Sequence, residues 1–178
     1  MGDGGIRPAY NPGAPGQLAA DTESRAIVGV AVVNTPADQN QSEPLRQQVE
    51  QRTGRKVKEH LVDQGYVGVA SIARAYQAGV AVYAPLPTGK DGQPVTASRW
   101  DTPGTTAWRQ RMQTEAAREI YKQRAAVSET INAETKCRFG VRAFAVRGLR
   151  KVRCVALWMA LAYNLLHFAQ ELLRCEVV

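Results

Sequence analysis

One stretch constrains this chain more than any other: Tyr121-Lys-Gln-Arg-Ala-Ala-Val-Ser-Glu129-Thr-Ile-Asn-Ala-Glu-Thr-Lys136. It holds three alanines, no glycine, no proline and no β-branched run, so it reads as helix. At ~100° per residue, Lys122, Glu129 and Lys136 fall on one stripe, flanked by Ala125, Ala126 and Ala133. A carboxylate on a small-residue face between two lysines suits a metal ion beside a polyanion. Read blandly, the same pattern is a solvated helix face with ordinary charge pairs.

Charge supports the first reading. The 178 residues carry 23 Lys plus Arg against 16 Asp plus Glu, a net charge of +7. Residues 1–98 hold nine of each sign, whereas residues 99–178 hold fourteen basic and seven acidic side chains. The whole excess therefore sits in the C-terminal half, which points to a polyanionic partner, nucleic acid before membrane. Cys137, Cys154 and Cys175 are odd in number and widely spaced, so neither a disulfide framework nor a zinc knuckle follows. A reducing cytoplasm is the expected setting. His60 and His167 alone leave little for a histidine-based metal site. Residues 155–168 form the most apolar run, but Asn164 and His167 interrupt it, and a span needs ~18–20 residues. A buried core helix with no membrane role is expected there, with Trp158, Leu161, Leu165 and Phe168 near one face.

Along the chain, residues 1–16 are too rich in glycine and proline for regular structure and read as an irregular tail. Residues 17–20 and 26–33 read as a β-hairpin around the polar turn 21–25. Residues 34–42 read as a polar loop, and residues 43–52 as a helix with Ser42 as N-cap and Gly54 beyond its end. Residues 60–66, a helix over 67–78 and a strand over 80–84 make a β-α-β unit with parallel strands. Asp63 falls at the carboxyl end of the first of these strands, the edge where open α/β sheets place their chemistry. A capping aspartate in a β-α loop is the alternative. Residues 85–104 read as a long Pro/Gly-rich surface loop. Thr105 or Thr106 would cap the following helix, which continues or restarts near Thr114 and ends at Phe139-Gly140. Arg142, Arg147, Arg150, Lys151 and Arg153 crowd the connection to a last helix over about 152–173. The layout is a single domain over 17–178.

Two carboxylates, Asp63 and Glu129, thus stand in a half-basic chain. Hard divalent cations take oxygen ligands and leave places for phosphate oxygens. Two-metal phosphoryl transfer holds two ions ~3.5–4 Å apart and wants at least three acids, of which two are placed here.

At these residues the chain resembles a known family. His60-Leu-Val-Asp63-Gln-Gly-Tyr66 is similar to the second-aspartate motif of bacterial insertion-sequence transposases with an RNase H-like DDE domain. Tyr121, Arg124, Glu129 and Lys136 resemble their Tyr-Arg-Glu-Lys signature, with the Arg124-to-Glu129 gap one residue longer than in its commonest version. Pro8-Ala-Tyr-Asn11, residues 17–24, and residues 146–158 through 163–166 also look like this group. The resemblance implies an α/β, RNase H-like mixed sheet with flanking helices, catalytic and metal-binding Asp63 and Glu129, and Mg²⁺ or Mn²⁺ as cofactor if the site is complete. It implies DNA contacts from Tyr121, Arg124 and Lys136, and backbone tracking by Arg147, Arg150, Lys151 and Arg153. Mobile-element ends and target DNA would be the partners, with a homo-oligomer or a mixed oligomer with full-length transposase, in the nucleoid-associated cytoplasm. In relatives the first aspartate lies on a strand upstream of the Tyr-Asn segment, and no residue here occupies that place. Asp21 matches a hairpin-turn aspartate. The expectation is a C-terminal transposase part whose sheet lacks its first strand and which is inactive alone. The alternative is a non-catalytic DNA-binding fragment that interferes with full-length transposase.

Overall fold

Residues 17–20 alternate sides: Leu18 and Ala20 go to one cluster of buried side chains and Ala19 to the other. That alternation is the mark of a strand covered on both faces. The computed structural model describes residues 8–11, 16–33, 41–141 and 145–174. In chain order it contains β1 (Pro8–Asn11), β2 (Gly16–Asp21), β3 (Ile27–Val32), α1 (Ser42–Thr53), β4 (Glu59–Leu61), a 3₁₀ turn (Gln64–Tyr66), α2 (Val69–Gln77), β5 (Ala81–Tyr83), α3 (Pro103–Met112), α4 (Glu115–Cys137) and α5 (Leu149–Arg174).

The strands form one mixed sheet in the order β3-β2-β1-β4-β5. β1, β2 and β3 run antiparallel, while β1, β4 and β5 run parallel. The expected hairpin and the expected β-α-β unit are both present. The irregular tail over 1–16 is corrected at Pro8–Asn11, which fills the centre of the sheet between β2 and β4. Proline costs no ladder donor at the first residue of a strand. Two flanking strands then offer Ala9, Tyr10 and Asn11 pairing that local composition does not reveal.

α1 and α2 cover the face carrying His60 and Val82, and α4 and α5 cover the face carrying Leu18 and Ala20. α1 approaches β3 closely because residue 29 is glycine: a Cβ there would meet Leu45 Cδ1 and Val49 Cγ2 at 3.0 Å. Helix side chains occupy backbone groups of both outer strands. Asn164 on α5 accepts from the Ile27 N–H at 2.9 Å and donates to its C=O at 2.8 Å, and Gln48 on α1 accepts from the Val30 N–H. On the far side Arg111 and Trp108 of α3 donate to the Val82 and Ala84 carbonyls, both at 3.1 Å.

Three helix expectations need correction. α1 starts after Gln41, with Ser42 inside its first turn, and Gly54 ends it at φ 66° as expected. α3 is capped by Thr102, so Pro103 and Gly104 belong to the helix and the long loop stops at 102. The Thr102–Thr105 side chains close a reciprocal capping box, with proline at the first helical position where its missing N–H costs nothing. α4 restarts at Thr114, whose hydroxyl accepts from the Ala117 N–H. The third correction is α5. It is not a buried core helix, because among its described side chains only Ala156, Ala160 and Tyr163 are deeply buried while Trp158, Leu161 and Leu165 stay exposed. Residues 34–40 and Arg142 lie outside the described residues.

Candidate carboxylate site and nucleic-acid interface

β4 ends at Leu61, which pairs with Ala9 of β1, so Asp63 is level with the carboxyl end of both strands. The residue of β1 at that level is Asn11, an amide. Asp63 serves as the cap of the 3₁₀ turn: its Oδ1 accepts from the Gln64 N–H at 2.7 Å. Its Oδ2 meets Arg124 Nη2 at 3.2 Å. The capping reading and the chemical-edge reading therefore describe the same side chain.

Arg124 reaches Asp63 because of where the helical period puts it. Ala117, Val127, Ser128, Ile131 and Thr135 form the buried stripe of α4, with Ile120 and Tyr121 packed beside it. Arg124 falls within that stripe and is only 14% exposed, so the guanidinium needs a counter-charge, which Asp63 supplies at the sheet edge. Its carbon lies 5.9 Å from the Tyr121 ring centre. Burial raises the Tyr121 pKa above its ordinary value, against the opposing pull of Arg124. Tyr121 is thus a packed support for the arginine.

Glu129 sits elsewhere. It lies roughly 140° around the helix from the centre of the buried stripe and is exposed. Lys136 shares that outer side and is exposed, while Lys122 pairs with Glu119 one turn away. The structure therefore brings together Asp63, Arg124 and Tyr121, and leaves Glu129 and Lys136 on the solvent side of α4. Asp21 folds back on its own turn, accepting from the Ser24 N–H and hydroxyl, and pairs opposite Pro8 at the other end of β1 from Asp63.

A divalent cation needs several converging oxygen donors. Among the described residues no group of three or more His, Cys, Asp or Glu side chains gathers to hold one. Asp63 already receives an N–H on one oxygen and a guanidinium on the other. As folded, this set does not fit a resident divalent ion.

The basic cluster survives as a surface. Arg147, Arg150, Lys151 and Arg153 are all exposed around the start of α5. Sequence reading missed a fifth member, Arg52, in the last turn of α1. Burial, and then the positive charge of Arg153, push the Arg52 pKa below its ordinary value. No linear motif signals that meeting, since the two arginines come from distant helices that both pack against β3. Like charges held together favour an anion between them.

A family model described as transposase DDE domain matches residues 89–169. That segment runs from the loop before α3 through α4 and most of α5, and includes Tyr121, Arg124, Glu129, Lys136 and the basic cluster. Over it, the chain is similar to transposase DDE domains. No curated protein and no solved structure matches the chain.

Proposed function

We propose that the chain acts in DNA transposition through an RNase H-like core of the DDE type and binds the DNA backbone through the arginines around the start of α5. The observation that carries this reading is that the transposase-like segment includes the exposed cluster Arg147, Arg150, Lys151 and Arg153. In this reading Asp63 and Glu129 stand at the acidic positions of the family signature, and Lys136 contacts phosphate from the outer side of α4. Transposases of this kind use Mg²⁺ or Mn²⁺, mobile-element ends and target DNA.

A second reading is favoured by one specific observation, the Arg124–Asp63 pair. A carboxylate already neutralised by a guanidinium serves structure, so the chain would bind DNA without cutting it and compete with a complete transposase. The two readings separate in one experiment. The purified chain, Asp63→Asn and Glu129→Gln are incubated with supercoiled plasmid and Mg²⁺ or Mn²⁺, with DNA binding measured in parallel. Binding by all three proteins with no strand cleavage by any is the outcome of the second reading. Cleavage by the parent chain that both substitutions abolish would establish an autonomous enzyme.

A further inference from the structure

α5 turns Ala156, Ala160 and Tyr163, with Asn164 and His167 beside them, toward its own domain and leaves its larger apolar side chains to solvent. Asn164 grips the Ile27 backbone, and His167 Nε2 meets Glu134 Oε2 of α4 at 2.8 Å. The outer side carries Leu157, Trp158, Leu161 and Leu165, exposed by 36, 67, 46 and 48%. Along it, Cys154, Trp158, Leu161, Leu165 and Phe168 follow one another at intervals of four, three, four and three residues. That 3.5-residue period is the one by which two helices interlock knobs into holes.

We propose that this seam is a homodimer interface in which α5 of one copy packs antiparallel on α5 of a second. Area is the first argument. The outer apolar side chains of α5 expose on the order of 600 Å² per copy, so pairing two copies reaches the lower end of standard specific interfaces. Charge sets the direction. Arg150 and Lys151 flank the seam at its N-terminal end, Arg153 follows, and no acidic side chain comes before Glu171. Parallel pairing would collect the cations of both copies beside two positive helix ends. Antiparallel pairing sets each basic end against the partner helix's C-terminal end, with its negative dipole and Glu171. The seam itself does not rest on the DNA reading; only the direction argument shares Arg150, Lys151 and Arg153 with it.

Bilayer insertion is the competing fate, since Leu149–Glu171 is long and apolar enough to cross one, with mean hydropathy 1.4 and 17% of the window buried. Asn164, bonded to β3, and His167, against Glu134 of α4, instead hold the helix to its own domain.

The test is sedimentation of the full chain without DNA at tens of micromolar. A dimer is expected, and Trp158→Glu combined with Leu161→Asp should give a monomer with unchanged far-ultraviolet circular dichroism. A parent chain that stays monomeric, or a folded double variant that stays dimeric, overturns the proposal. So does a monomer that floats with vesicles of phosphatidylcholine and phosphatidylglycerol. Thiol crosslinking reads the direction even if the double variant fails to fold. With Cys137→Ser and Cys175→Ser in place, adding Phe168→Cys should allow Cys154 to crosslink to position 168 of the second copy. Efficient crosslinking through Cys154 without Phe168→Cys would overturn the antiparallel arrangement.

Discussion

Arg124 is a charge placed by helical period inside a buried stripe, and the fold answers it with Asp63 at 3.2 Å. Removing one partner of such a pair costs more than the pair contributes, because the other charge stays desolvated. Asp63→Asn should therefore lower unfolding stability by about 1–3 kcal/mol in urea titrations. An unchanged midpoint would mean that Asp63 is not the counter-ion of Arg124. His60 gives a second prediction. Burial, then the charge of Arg46, holds its pKa down at about 3 from 6.5, with Glu43 opposing. Between those values the unfolded chain binds a proton that the folded chain refuses. The stabilisation is full above pH 6.5 and is lost as pH falls toward 3, by up to about 1.4 kcal/mol per unit. Urea midpoints between pH 7 and pH 4 should fall more steeply for the parent chain than for His60→Leu, and equal slopes would refute the assignment.

At the scale of elements, the outer strand β3 depends on a helix side chain from far along the sequence. Asn164→Leu would strip partners from the Ile27 N–H and C=O, costing about 2–3 kcal/mol and exposing an edge to intermolecular pairing. Faster amide exchange at Ile27 and concentration-dependent aggregation are the expected readouts. Gly104 is similarly committed: a Cβ there would lie 2.8 Å from Tyr76 Cβ and 3.2 Å from the Ala73 backbone. Gly104→Val should destabilise the α2–α3 contact by about 1–3 kcal/mol, and thermal melts that do not shift would contradict it. These contacts mark what the sequence could and could not disclose. The β2–β3 hairpin, the β4-α2-β5 unit and the Tyr121-to-Lys136 helix were legible because their signals are local: alternation, stop glycines and alanine-rich periodicity. β1 was not legible, since Pro8–Asn11 is held by neighbours on both sides against its own composition. Nor was the facing of α5, where Asn164 seemed only to interrupt an apolar run, although it orients the helix.

At the scale of the molecule, the carboxylates and cations anticipated at one site are divided between two. Asp63, Arg124 and Tyr121 make a packed ion pair at the sheet edge, while Glu129 and Lys136 face solvent. Spacing alone identified the helix but not which side of it the domain would cover. The surface left for a polyanion is the cluster around the start of α5, with Arg52 added from α1. Its use by DNA is the central claim, and the salt dependence of duplex binding tests it most directly. If four or five of these side chains each neutralise a phosphate, log affinity should fall against log salt with a slope of about −3.5 to −4.5. Arg150→Ala and Arg153→Ala should each make that slope shallower by about one unit, whatever the DNA sequence. A slope near zero, or one that neither substitution changes, would contradict it.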